Sequence, residues 1–281
     1  MLKFVDEMTK SKDKYNKIAI GYFDGVHKGH QKILSQLDEN DLIITFLNNF
    51  KDQDIYPVED KIVLLKQYCP NIVIFDLKAI KKDSKTKFIN YLKEFEPQQI
   101  ITGEDFRFGY KASGSVADLE KHFDVVVVKT MIRTGERISS SRIRQALKDG
   151  DIKEAREMLT RPYEITKLVV KGNGKGSEIG IPTINFLVDK HHNLLRNGVY
   201  QSKVHIDGKT YKGVTNIGTR PTFDGEEKTI ETHIIDFNQD IYGKLVTVEL
   251  IKFIRDEQKF DSVNELVSQI KKDINQVKKR K

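Results

Sequence analysis

Apolar residues along this chain fall into two rhythms. From Lys17 to about Leu159, short and nearly all-apolar runs alternate with amphipathic stretches. "KIAIGYF", "LIITFL", "NIVIFDL", "QQIITGEDF" and "DVVVVKTM" read as strands. Between them, "HQKILSQL", "EDKIVLLKQY", "SKTKFINYLKEF" and "SVADLEKHF" read as helices. Strands that are apolar on both faces and separated by helices predict a parallel sheet covered on both sides, a doubly wound α/β architecture. Two more helices, in "SSSRIRQALKDG" and "DIKEAREML", precede "TRPYE" (Thr160–Glu164), where a proline breaks the pattern.

Beyond that break the runs are strand-like and the punctuation is Gly, Asn and Asp: "ITKLVVKG", "TINFLV", "VYQSKVHIDGKTYKGVTNIG", "TIETHIIDF" and "LVTVELIKFI". An amphipathic helix, "SVNELVSQIKKDINQV", closes the chain. This predicts a small antiparallel β-barrel or sandwich with a C-terminal helix. The domain boundary falls near Arg161, giving domains over 1–160 and 161–281.

The length of 281 residues accommodates two such domains, and 38% hydrophobic with 32% charged residues is the balance of a folded, soluble protein. No apolar run has the length of a membrane span, and the charged N-terminal stretch lacks a signal-peptide core. The single cysteine, Cys69, permits neither an internal disulfide nor a cysteine zinc site, so a cytoplasmic protein is expected. A formal charge of +7 favours anionic partners, and nucleotides and phosphates qualify as well as nucleic acid. The basic tail Lys271–Lys281 reads as the solvated end of a helix, so no nucleic-acid partner is expected. No heptad seam fixes an oligomeric state.

Candidate chemistry concentrates at a few turns. In "GYFDGVHKGH", Gly25 and Gly29 allow a tight turn and close backbone approach, and His30 is expected to open the following helix. The free N–H groups of a helix start bind anions, and His27 and His30, three apart, can add two donors on the same side. Reaction at a nucleotide α-phosphate needs this kind of positioning and charge stabilisation. On spacing alone, the pair fits a metal site or a surface turn equally well, although no carboxylate stands at an obvious third-ligand spacing. "RISSSRIRQAL" brings Ser139, Ser140, Ser141, Arg142 and Arg144 to a second helix start, as an N-cap with a basic face or as a second phosphate clamp.

In the second half, "KGNGKGSEIGIPTINF" fits neither a Walker A loop nor a dinucleotide fingerprint. Gly172, Gly174, Lys175 and Gly176 suit either a hairpin turn or a phosphate-cradling loop. Thr183 and Asn185 alternate onto one strand face, where two neutral oxygens suit Mg²⁺. Glu231 and His233 share another strand face, and Glu231 is either a general base or an ordinary exposed strand residue.

These motifs carry a resemblance. The His-x-Gly-His turn and the distal "ISSSRIR" (Ile138–Arg144) resemble the nucleotidyltransferase superfamily; with "GEDFRFG" (Gly103–Gly109) they resemble prokaryotic FAD synthetases. "GKGSEIGIPTINF", "NGVY", "GVTNIGTRPTF", "IETHIIDF", "YGKLV" and "FIRDEQKF" stand in the order found in riboflavin kinases. The resemblance implies a bifunctional enzyme that uses ATP and Mg²⁺ to convert riboflavin to FMN and FMN to FAD. It further implies that Thr183 and Asn185 bind Mg²⁺ and the ATP phosphates, and that Glu231 is the base on the ribityl hydroxyl. In the first domain, His27 and His30 would act at the α-phosphate, with Arg142 and Arg144 on the departing phosphates. Phe23, Asp24, Asp105, Phe106, Arg107 and Phe108 would lie on the flavin or nucleotide side. Asn216 and Arg220 would belong to loops closing over the kinase substrates. One departure stands out: FAD synthetases carry Phe-x-Pro-His-Pro after the second strand, whereas this chain has "TFLNNF" (Thr45–Phe50). It loses a rigid turn and a titratable ring, and the alternative it leaves is a riboflavin kinase with a degenerate N-terminal module.

Overall fold

The computed structural model describes residues 2–4, 14–48, 54–172, 174–186, 188, 194–222 and 225–279. The chain divides into two compact units, Met1–Arg142 and Ile143–Lys281.

The first unit carries strands β1 (Leu2–Phe4) and β2 (Lys17–Ile20), helix α1 (Lys28–Leu34), β3 (Leu42–Leu47), α2 (Val58–Leu65) and β4 (Ile72–Asp76). There follow α3 (Leu77–Ile80), α4 (Lys85–Lys93), β5 (Gln99–Gly103), the short pair β6 (Arg107–Phe108) and β7 (Gly114–Ser115), and α5 (Val116–Leu119). Then come β8 (Asp124–Val128), the hairpin β9 (Ile132–Arg133) and β10 (Glu136–Arg137), and the start of α6 (Ser140–Asp149). The main sheet is parallel, in the order β1-β4-β3-β2-β5-β8. Alternation along each strand feeds two cores. Ile18, Ile20, Ile44, Phe46, Val73 and Phe75 pack with α4 on one face, while Ala19, Ile43, Ile72 and Ile74 pack with α1 and α2 on the other. The doubly wound reading therefore holds. Strand β1 was not read from the sequence, since three residues in a charged stretch are too short to show a period; its parallel pairing with β4 places it at the sheet edge.

The second unit continues with α7 (Ile152–Leu159), β11 (Tyr163–Val170), α8 (Lys175–Glu178), β12 (Ile184–Phe186) and β13 (Gly198–Ile206). It ends with β14 (Lys209–Thr222), β15 (Gly225–Ile234), β16 (Leu245–Arg255) and α9 (Val263–Lys279). The strands form a closed barrel, β11-β12-β15-β14-β13-β16, with antiparallel pairing throughout. Asp207 and Gly208 both have positive φ at the β13–β14 turn, the conformation whose twist suits a two-residue hairpin. Inside the barrel the Ser202, Thr215 and Thr232 hydroxyls form a buried row with spacings of 2.8 and 2.9 Å. Helix α7 packs on β11 and β16, so the compact unit begins ahead of the boundary read near Arg161.

Candidate active sites

Strand β2 lies mid-sheet with β3 on one side and β5 on the other. Strand order reverses here, and such sheets bind ligands beyond their carboxyl ends. The chain leaves β2 at Ile20 and makes a tight turn over Asp24–Val26 in which Phe23, Gly25 and Val26 all have positive φ. For β-branched Val26 this is a strained conformation. His27 then caps α1: its Nδ1 accepts the His30 N–H at 3.4 Å. The helix thus opens at Lys28, not at His30 as the sequence led us to expect, because a histidine ring serves as the capping acceptor. The two imidazoles stack, with centroids 3.6 Å apart and planes at 17°, and Phe23 meets His30 edge-on at 5.3 Å. Gly29 is tightly placed, since a Cβ would lie 3.2 Å from the His27 ring and push it by a few tenths of an ångström.

Two cavities meet at His30, Ile33, Gly103 and Asp105. The polar one, about 520 Å³, reaches His27, Gly29, Lys129, Arg137 and Ser139–Ser141. The other, about 420 Å³, is walled by aromatic rings, among them Tyr22, Phe46, Phe106 and Phe108. The Ser140 hydroxyl donates to the Asp24 carbonyl at 2.9 Å, tying the second helix start to the histidine turn. The Ser139 Oγ accepts the Arg142 N–H at 3.3 Å, the capping role that serines at a helix start allow.

The frame behind these cavities is polar and buried. Thr102 Oγ1 donates to the Ile20 carbonyl and Thr45 Oγ1 to the Tyr22 carbonyl, each at 3.0 Å. Lys61, on α2 and 3% exposed, donates through Nζ to the carbonyls of Phe46 at 2.7 Å and Tyr22 at 3.3 Å. Burial pushes its ammonium pKa down to about 8, against the pull of Asp54 and Asp24. The Tyr22 hydroxyl, pushed well above its usual range by burial and by Asp54, donates to Asp54 Oδ2 at 2.5 Å. A buried lysine therefore holds the exit of β3, where the family pattern has Pro-His-Pro. Of "TFLNNF", Asn49 and Phe50 lie outside the described residues.

In the barrel, Ile230, Thr232 and Ile234 of β15 are buried, and Glu231 and His233 alternate with them on the outer face. Glu231 stands directly across from Asn185 on β12 and from Asn216 on β14. Two cavities meet at Gly176, Thr183, Asn216, Glu231 and Glu257. One, about 540 Å³, is bounded by Val199 and Val214 of the barrel and by Val263, Leu266 and Ile270 of α9. The other, about 500 Å³, is lined by Lys171, Gly172, Gly174 and Asn185. Glycine is required at two of these positions. A Cβ on Gly172 would lie 2.3 Å from Asn185 Nδ2, and one on Gly176 would lie 2.5 Å from the Ile181 carbonyl oxygen. An Arg255–Asp273 ion pair at 2.8 Å, largely buried, fastens α9 to β16 beside the first cavity.

Several expectations change. The Gly-rich stretch is not a hairpin but contains the short helix α8; Gly174 and Gly180 have positive φ, and the Lys175 side chain lies outside the described residues. Asn216 and Arg220 belong to β14, not to a closing loop, and Arg220 pairs with Glu227 at 2.6 Å. Phe223 of the same motif lies outside the described residues. Asp24 is 1% exposed and its carboxylate accepts the Ile55 N–H at 2.7 Å, so it braces the turn from within. The Arg142 guanidinium serves the β9–β10 hairpin, donating to the carbonyl of Arg133 and to Thr134 Oγ1. Arg144 is half-buried on α6, and Gly25 shapes the turn without lining either cavity. Phe23, Asp105, Phe106, Arg107 and Phe108 all line the aromatic cavity. Lys61, Tyr22 and Asp54 escaped the sequence reading, since a lysine in an amphipathic helix carries no mark of burial. Glu257, in the motif "FIRDEQKF", accepts from Asn197 Nδ2 at 3.0 Å and lines both barrel-side cavities.

Each unit thus offers a polar cavity that meets a more apolar one of similar size, an arrangement that suits a nucleotide and a flat acceptor side by side. Family models agree unit by unit: residues 9–142 match FAD synthetase and residues 159–281 match riboflavin kinase. A bifunctional riboflavin kinase/FMN adenylyltransferase from Bacillus subtilis is 33% identical, over 95% of this chain and 92% of its own length. One from Listeria monocytogenes is 32% identical over 92% and 90%. A trifunctional protein, RibF/MnmA, from Mycoplasmoides gallisepticum is 35% identical over 97% of this chain, which spans only 42% of that relative. A solved chain titled a macrolide-efflux protein, from Streptococcus pneumoniae, superposes with a TM-score of 0.88 at 30% identity, covering 100% of this chain and 99% of that one. Among the described residues here, no helix is long and apolar enough to cross a membrane. The chain belongs to the bifunctional riboflavin kinase/FMN adenylyltransferase family.

Proposed function

We infer that this chain phosphorylates riboflavin to FMN in its barrel unit and adenylylates FMN to FAD in its sheet unit, with ATP as co-substrate of both steps. The functional boundary lies between 160 and 161, and the cytoplasm, to which the single cysteine points, is the site of action. The observation that carries the kinase reading is Glu231, set between Asn185 and Asn216 where an apolar and a glycine-lined cavity meet.

In this reading the flavin ring fills the apolar cavity beneath α9, with its ribityl chain directed to Glu231. The ATP phosphates lie along Gly172–Gly176, where no side chain blocks the backbone. Glu231 takes the ribityl hydroxyl proton as the oxygen bonds to the γ-phosphorus, and the bond to ADP breaks. Thr183 and Asn185 offer hard, neutral oxygens, which suit Mg²⁺. Bound there, Mg²⁺ would offset charge on the phosphate oxygens.

In the sheet unit an FMN phosphate oxygen attacks the α-phosphorus of ATP and pyrophosphate departs. His27, His30 and the first N–H groups of α1 supply donors where negative charge accumulates. Ser139–Ser141 border the same cavity, and Arg142 supports it through the β9–β10 hairpin. The aromatic cavity receives the flat rings.

Purified protein incubated with riboflavin, ATP and Mg²⁺, with its flavins separated by chromatography, tests both steps. FMN followed by FAD is expected. FMN alone, even from added FMN, would assign the chain to kinase activity only and make "TFLNNF" a mark of degeneration. No product would overturn both assignments.

A further inference from the structure

The barrel wall away from Glu231 holds a second polar convergence. Glu231 lies on β15, between β12 and β14, whereas β11, β16 and β13 are consecutive on the other side of the ring. Each of these three strands contributes one side chain to a single spot: Glu164 from β11, Glu249 from β16 and His205 from β13. One ligating atom from each lies within 4.8 Å of the others.

Glu164 and Glu249 are directly cross-strand neighbours. Like charges so placed repel. Glu249 is only 5% exposed, so its charge is poorly served by water. Lys203 comes no nearer than 4.0 Å to its Oε1. His205 turns Nε2 toward Glu249 Oε2, at 3.3 Å, while its Nδ1 lies 2.9 Å from Thr210 Oγ1. An imidazole oriented through one nitrogen and presented through the other is how metal-ligating histidines are held. Strand pairing on both sides of β16 fixes the three backbones, and the exposed Glu164 leaves a side open to solvent.

We propose that Glu164, His205 and Glu249 form a binding site for a divalent transition-metal ion, Zn²⁺ by its donor set, which ties β11, β16 and β13 together. One imidazole nitrogen with two carboxylates and an open fourth position suits Zn²⁺, whereas Mg²⁺ and Ca²⁺ take oxygen ligands. The site is separate from the kinase cleft, and its ion has no part in phosphoryl transfer. An ion bound only by the folded barrel raises that unit's stability.

The test is Zn²⁺ binding by metal-stripped, full-length protein in excess Mg²⁺, followed by calorimetry and by metal content after dialysis. The histidine pair of the sheet unit is a competing site, so every comparison is repeated in a His27→Ala, His30→Ala background. In that background we expect one equivalent of Zn²⁺ and a rise in the melting transition. His205→Ala should weaken binding on the order of a hundredfold, and Glu164→Gln on the order of tenfold. Co²⁺ should give visible absorption that His205→Ala abolishes. Should His205→Ala fail to fold, Glu164→Gln, at an exposed position, makes the same comparison. Equal stoichiometry and affinity in parent and variants would overturn the proposal and leave the cluster as an ion-pair network.

Discussion

Lys61 shows what a single buried charge does to this molecule. Its folded pKa near 8 stands below the 10.5 of an exposed lysine. Between those values the unfolded chain binds more protons than the folded one, so stability rises with pH across that window. Below pH 8 the full penalty applies, roughly 3 kcal/mol. Lys61→Met removes the penalty together with two hydrogen bonds to the exits of β2 and β3. Urea unfolding of both proteins at pH 8 and pH 10 should show the parent gaining on the variant by about 2 kcal/mol; parallel profiles would place Lys61 in contact with water. At this scale the sequence is unevenly legible. Glu231 could be found by alternation with Ile230 and Thr232, because strand period dictates which side chains share a face. Lys61 could not, since its burial comes from the approach of β2 and β3, far away along the chain.

Elements are set by local rules with local exceptions. The apolar strands β2 to β5 and helices α1, α2 and α4 follow from period alone, and so does α9; α3, four residues long, was not read from the sequence. The start of α1 was misplaced because the cap is a histidine, outside the usual Ser, Thr, Asp and Asn. Gly29→Ala pushes on that cap, and displacement of a catalytic group by a few tenths of an ångström costs roughly tenfold in rate. FAD formation from added FMN should fall accordingly, with FMN formation from riboflavin unchanged. Helix α8 was missed because four residues between glycines show no period. Gly176→Ala must move the connection to Thr183, and we expect a raised KM for ATP in the kinase assay with adenylylation intact. A normal KM would place ATP elsewhere.

For the whole molecule, one proposed site in each unit predicts a clean crossover. Glu231→Gln should abolish FMN formation, by about a hundredfold or more, while still converting added FMN to FAD. His30→Ala should do the reverse, and stop the reaction at FMN. A variant that loses both activities while folded would contradict the assignment of one step to each unit. The two-domain order, the doubly wound sheet and the barrel were all legible from the two rhythms of the chain. The closure of the barrel was not, since the alternation of an open sandwich is the same and only the β11–β16 ladder distinguishes them.

That ladder has a consequence for how the protein is made. The hydroxyls of Thr166 and Thr247 meet at 2.8 Å across 81 residues of chain, and β16 pairs with β13 as well. On the ribosome the parallel sheet has its last strand once Val128 has emerged, whereas the barrel waits for Arg255 with two bare edges, at β11 and β13. Nascent chains halted after Gly243 should therefore be cut by protease throughout the region beyond Arg161, and the arrival of β16 is what closes the barrel.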